Sequence, residues 1–329
     1  MSKLSLTMAI PEYDHTRDVV SGRVPVEGID LTCLIYPVEE IFYRFIVYKE
    51  FDVAEISFAK YSALIAQGNT DFFALPIFPS RVFRHSSLYV RDGGPIKKIT
   101  DLKGRKVGIP EWAQTAAVYS RGFLQDQYGI ELSSIHWVQA GVNQPGRIEK
   151  VDLKLPKGVE ITRIADKSLN EMLLSGEIDA ALVARAPDAF VKGDPKIRRL
   201  FDDFVDVEID YYKRTKIFPI MHVLVIKKEV YEKNSWIPRS LYKAFCEAKD
   251  LAIKNMHISN TMACTLPWLP YEREQLREIF GPDWWPYGVE ANRHALESLI
   301  RYMGEQGLLA RKLGVDELFA PNVVGEFKI

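Results

Sequence analysis

Two short stretches lodge cationic and titratable side chains inside apolar runs. In PIFPSRVFRHSSLYV (residues 76–90), Arg81, Arg84 and His85 interrupt a sequence that otherwise has the composition of a buried strand. IFPIMHVLVIKK (217–228) repeats the outline, with His222 opening a β-branched run. A cation removed from water must find a partner. Arginine's planar fork suits a carboxylate, which it binds through two parallel hydrogen bonds. Histidine titrates near neutrality and can give or take a proton. Read as a strand, the first stretch sends Arg81, Phe83 and His85 to one side and Val82 and Arg84 to the other. Arg81, Arg84, His85 and His222 are therefore the first candidates for a site that grips an organic anion and moves a proton. The plainer alternative is a salt bridge for an arginine and a satisfied structural role for each histidine.

Two further segments add candidates. GIPEWAQTAAVYSRG (108–122) runs strand, loop, helix, and its helix opens near Gln114–Ala116. Free N–H groups and the dipole at such an end favour an anion. Thr115 would add a hydroxyl and Trp112 an aromatic wall, unless the two only cap and pack. DWWPYGVEANRH (283–294) sets aromatics beside Glu290 and Arg293 at the head of a helix. Glu290 suits the positive helix end, Arg293 can hold a carboxylate or pair with Glu290, and Tyr287 can bond a phenol or merely pack. Ser57, closing the strand-like FDVAEIS (51–57), completes the set of substrate contacts.

Other chemistries find no footing. The chain has no GxGxxG after a strand, no GxxxxGK[ST], no HExxH and no GxSxG. Its six histidines form no i,i+3 or i,i+4 pair, so a metal drawn from His85, His222 and Glu290 has no support from spacing, and no cofactor is expected. A net charge of −1 without a basic block gives nucleic acid or a membrane surface nothing to attract. The three cysteines are far apart and lack CxxC spacing, as in a reducing compartment. The opening MSKLSLTMAIPEYDH lacks the continuous apolar core of a secretory signal. A cytoplasmic location is the expectation.

The elements that must position these residues alternate between strand and helix. LSLTMAI (4–10), LTCLIY (31–36) and FDVAEIS read as strands, and VEEIFYRFIVYK (38–49) places Ile41, Phe45 and Tyr48 on one helical face. KVGI and SSIHWVQ (133–139) are further strands. SLNEMLLSGEIDAALVA (168–184) opens with a capping box at Ser168 and Glu171 and runs on into another strand. From Pro238 onward the pattern is mainly helical. Alternation of this kind implies α/β layers with mostly parallel sheets. With 329 residues there is material for two cores. Polar stretches near 91–98 and 210–216 suggest hinges, giving a first lobe of residues 1–96 and 212–329 and a second of 97–211. The ligand would lie between them.

IKKITDLKGRKVGIP (96–110) followed by a helix, with LSGEIDAALV (174–183), resembles the second lobe of the type II periplasmic-binding-protein fold. FPSRVFRHSSLYV, GIPEWAQTAAVYSRGFLQDQYGI, IHWVQAG, KIFPIMHVLV, DWWPYGVEANRHALESLIRYMGEQGL and ELFAP together resemble the 4,5-dihydroxyphthalate decarboxylase family. That likeness runs from about Met8 to Pro321. One departure is Lys216, where the family pattern would have glycine.

The resemblance implies a two-lobed α/β enzyme, each lobe a mixed, mostly parallel sheet flanked by helices. It would act on a small aromatic dicarboxylate, assemble as a homo-oligomer and exclude water by closing its lobes. Arg81, Arg84, Ser57, Trp112, Thr115, Tyr287 and Arg293 would hold the substrate, and His85, His222 and Glu290 would do the proton work. The alternatives are a solute-binding protein that captures a carboxylate without chemistry, and a same-fold cytoplasmic enzyme with another substrate.

Overall fold

Val53–Ser57 is buried at every position, as a strand with neighbours on both edges and cover on both faces must be. It is β3 of a first lobe that opens with β1 (Leu4–Ala9), α1 (Arg17–Val20), β2 (Ile29–Leu34) and α2 (Val38–Tyr48), and continues into α3 (Phe58–Ala66) and β4 (Phe72–Leu75). The second lobe contains β5 (Leu88–Arg91), β6 (Lys106–Ile109), α4 (Thr115–Tyr128), β7 (His136–Gln139) and β8 (Ile161–Arg163). It ends with α5 (Leu169–Ser175), β9 (Ala180–Leu182), α6 (Asp188–Val191) and β10 (Ile197–Arg199). The chain returns through α7 (Phe204–Thr215) to β11 (His222–Lys227) and α8 (Lys228–Lys233). It finishes with α9 (Ile237–Met256), α10 (Leu269–Phe280) and α11 (Arg293–Glu305). The computed structural model describes residues 3–258, 260, 262 and 264–323.

The strand order is β2-β1-β3-β11-β4 in one sheet and β10-β5-β9-β6-β7-β8 in the other. In the first, β11 runs antiparallel to both its neighbours, while β1 is parallel to β2 and β3. In the second, β5 is antiparallel to β9 and β10, and β6 to β9 are parallel neighbours. Each sheet thus has one strand of reversed sense, and it is the strand by which the chain enters that lobe from the other. This is the mixed, mostly parallel pair of sheets expected from the sequence. No described helix is long and apolar enough to cross a membrane.

Two expectations need correction. Leu88–Arg91 lies in the second sheet, so the first lobe ends after β4 rather than at residue 96. The segment before it is no strand: residues 76–84 are irregular, with one bridge from Arg81 to the returning chain at Ile220. Pro76 and Pro79 lack the N–H that a ladder needs. The strict alternation of sides therefore fails, and Arg81, Arg84 and His85 are all buried.

The C-terminal helix belongs to neither lobe alone. α11 packs on α3 of the first lobe and α4 of the second. A Cβ on Gly122 of α4 would sit 2.6 Å from the Tyr302 ring, so this close approach requires glycine. Tyr302 donates to Asp126 (2.8 Å), and Gln306 donates to the Val118 carbonyl (2.9 Å). Downstream, Ala320 N–H bonds the carbonyl of Ala74 in β4 (3.0 Å). One run of chain is fastened to both lobes.

Lys216, where the resemblance implies glycine, closes α7 in the left-handed region, with φ 56° and ψ 21°. That conformation costs a side-chain-bearing residue roughly 1–2 kcal/mol, while glycine gives back about 0.5–1 in backbone entropy. Lys216→Gly is expected to stabilise the protein by about 0.5 kcal/mol, read from the midpoint of urea unfolding. A lower midpoint would contradict this account of the helix end.

Candidate active site

A cavity of about 240 Å³ lies between the lobes. Its first-lobe wall follows from strand register. His222 on β11 stands opposite Ser57 on β3, and Leu224 stands opposite Glu55. Alternation puts Glu55, Ser57 and His222 on one face at the cleft end of the sheet. His222 Nδ1 lies 2.5 Å from Glu55 Oε1, which also accepts from the Tyr13 hydroxyl at 2.7 Å. Glu55 has no exposed surface, whereas the His222 side chain keeps 18% of its own. Nε2 is the ring nitrogen left for the cleft, and Phe42 meets the ring edge-on at 5.0 Å. Burial and the Glu55 charge raise the Tyr13 pKa far above that of a free phenol, so Tyr13 remains a neutral donor.

The second-lobe wall begins at the head of α4. Thr115 Oγ1 accepts from Ala59 N–H (3.0 Å) and shares a hydrogen bond with Ser57 Oγ (2.9 Å), tying the lobes across the cleft floor. Glu111, fully buried after β6, takes an ion pair from Lys60 of α3 and another from Arg147 Nε (2.5 Å). These cations hold its pKa below the ordinary carboxylate value, against the opposing effect of burial. At the mouth, Arg185 reaches from the second lobe to Glu39 of α2 at 3.3 Å.

Arg84 enters from the hinge. It donates to Met221 Sδ (3.2 Å) and weakly to Ser87 Oγ (3.5 Å), and among the described residues no carboxylate lies within ion-pair distance of it. Burial lowers its pKa to about 10, which leaves it cationic at neutral pH. The Glu208 carboxylate acts on it only from beyond ion-pair contact, and a buried guanidinium lining a cleft without a contacting carboxylate is a ready receptor for an anion.

No family model matches the chain. A curated 4,5-dihydroxyphthalate decarboxylase from Comamonas testosteroni is 38% identical over 330 residues, covering all of both proteins. The chain belongs to the 4,5-dihydroxyphthalate decarboxylase family. A second curated protein of that name, from Pseudomonas putida, is 39% identical over 214 residues, covering 65% of this chain and 83% of that one. Among solved structures, the Escherichia coli periplasmic aliphatic sulphonate binding protein SsuA superposes with a TM-score of 0.57 at 14% identity, covering 98% of this chain and 99% of that one. The desulfurization enzyme DSZB superposes with a TM-score of 0.51 at 16% identity over 98% of each chain. At such identities the likeness is one of fold.

The segments that carry the resemblance divide between cleft and scaffold. Of the residues singled out in the sequence, Ser57, Arg84, Thr115 and His222 line the cavity. The others do not. Arg81 is buried and donates to the carbonyls of Phe218 (3.3 Å) and Pro286 (2.7 Å) and to the Asn292 side chain, so it braces the 283–294 segment from behind. Tyr287 is buried beside Lys249, whose ammonium stands 5.9 Å from its ring. Glu290 and Arg293 pair with each other at 2.5 Å, and Arg293 also pairs with Asp316 at 2.9 Å. Trp112 is a core residue whose Nε1 donates to the Gln306 carbonyl (2.8 Å). His85 stacks on Phe123 with ring centroids 4.1 Å apart and touches Phe201 and Tyr211.

Glu39, Phe42, Glu55, Lys60, Glu111, Arg147 and Arg185 joined the site only once the fold was in hand. Among the described residues, no group of three or more His, Cys, Asp or Glu side chains is arranged to hold a metal ion.

Burial lowers the His85 pKa from 6.5 to about 4. The folded protein then keeps this ring neutral where the unfolded chain takes up a proton. The sign is fixed: the stability contribution is complete above about pH 6.5 and is lost as pH falls towards 4. His85→Phe should therefore shrink the drop in stability between pH 7 and pH 5 by about 1–2 kcal/mol, measured by urea unfolding at both pH values. An unchanged drop would show that His85 does not titrate this way.

Proposed function

We propose that the chain removes one carboxylate from 4,5-dihydroxyphthalate or a close hydroxylated aromatic carboxylate, releasing carbon dioxide and a dihydroxybenzoate. The observation that carries this reading is the pairing, in one cleft, of a histidine oriented by a buried carboxylate with a buried arginine that, among the described residues, has no carboxylate in ion-pair contact. Full-length similarity to a curated decarboxylase supports the substrate class.

Each carboxylate of such a substrate stands para to a hydroxyl. Ionising that hydroxyl sends electron density to the carbon that bears the carboxylate. His222 Nε2–H delivers a proton there, and the carbon becomes tetrahedral. The carbon–carboxylate bond then breaks, carbon dioxide departs, and the bonding pair restores the aromatic ring. In sum, one proton replaces one carbon dioxide, and the phenol recovers its own proton afterwards. Glu55 fixes the His222 ring and its tautomer, the part a carboxylate plays behind a catalytic histidine. Arg84 holds the carboxylate that is retained. Lys60 and Arg147 carry two positive charges against the single charge of Glu111 and favour an ionised phenol nearby. Val38, Phe42 and Met221 give the aromatic ring an apolar wall.

Purified protein mixed with 4,5-dihydroxyphthalate is expected to release carbon dioxide. His222→Asn should reduce turnover by about 10²–10⁴, and Glu55→Gln by about 10–100 through loss of ring orientation. Binding of the compound by the wild type without release of carbon dioxide would overturn the reading and favour a solute-binding protein. Full turnover by His222→Asn would remove this residue from the chemistry.

A further inference from the structure

The cleft cations are bound with very different strengths. Arg147 is tied to a carboxylate that has no exposed surface, and the buried Lys60 shares that carboxylate. Withdrawing either would leave Glu111 buried beside fewer charges, which is costly. The Arg185–Glu39 pair is the opposite case. Its side chains are 69% and 43% exposed, and Arg185 Nη2 reaches the two carboxylate oxygens at only 3.3 and 3.5 Å. An ion pair of this kind is screened by water and contributes little. It also bridges the lobes, from the first turn of α2 to the segment after β9, and both residues line the cavity. Arg185 is thus a cation already at the mouth, held by an anion that another anion can displace.

We propose that Arg185 reads the second carboxylate of the substrate, and that Glu39 is its built-in competitor. Resting on the functional reading above, the assignment divides the labour. Arg84 keeps the carboxylate that stays, while Arg185 meets the one that leaves. A tight, buried partner on the departing group would be lost as neutral carbon dioxide forms, and that would raise the barrier. A screened partner that can return to Glu39 imposes little such cost. The exchange also distinguishes substrate from product, because a monocarboxylate has nothing with which to displace Glu39.

Glu39→Gln and Arg185→Gln should act in opposite directions. With phthalate (benzene-1,2-dicarboxylate) as the probe in calorimetric titration, Glu39→Gln is expected to tighten binding about 2- to 5-fold. Arg185→Gln should weaken it about 10-fold. With 3,4-dihydroxybenzoate, neither variant should shift affinity by more than about 2-fold. If the pair is only a latch between lobes, both substitutions shift phthalate affinity in the same direction. That outcome, or equal shifts for the two ligands, or no binding of phthalate by the wild type, overturns the assignment. Opposite shifts in a protein that releases no carbon dioxide would sustain the carboxylate assignment and reject the decarboxylase reading alone.

Discussion

A carboxylate with no contact with water governs the first-lobe half of the cleft. Glu55 sits in the middle of a fully buried strand, a position where an uncompensated charge is strongly disfavoured. Its compensation comes from Tyr13 and His222, and the second of these exists only because β11 returns antiparallel in one register. A shift of one residue would turn His222 to the other face of the sheet. The crossing of the chain between lobes, the reversed strand and the oriented imidazole are therefore one requirement seen at three scales.

The buried arginines show how placement separates scaffold from site. Burial lowers the pKa of Arg81, Arg84 and Arg121 to about 10, 10 and 9. Arg81 spends its donors on two carbonyls and an amide, and Arg121 on Gln306 and the Trp112 carbonyl while its guanidinium lies 3.7 Å from the Trp112 ring. Arg84 has a thioether and a distant hydroxyl. All three are cations in low-dielectric surroundings, and Arg81 Nε and Arg121 Nη1 also lack partners, but of the three only Arg84 lines the cleft.

The fold was legible because local signals agreed with the tertiary answer. Periodicity marked the helices, the Ser168–Glu171 capping box forms as expected, and α4 starts at Thr115. His222 was legible too, as a titratable group at the mouth of an apolar strand. His85 and Arg81 carried the same signal for another reason, since a ring stacked among aromatics and a guanidinium capping carbonyls also interrupt apolar runs. Sequence cannot separate a polar group that closes a core from one that opens a cleft. Glu55 had a visible mark, a lone acid within a buried strand. Arg147 and Arg185 had none, because they lie in loops and their meaning comes from what stands across the gap.

The α11 helix and the chain beyond it rivet both lobes together through Tyr302, Gln306 and Ala320. A receptor announces that it is loaded by changing its outline, so that a partner can tell full from empty. Here a single run of chain is bonded to both sides of the gap. In this arrangement the α4 wall and the β4 edge are referred to one common segment, so the charges of the two walls are set against a shared frame.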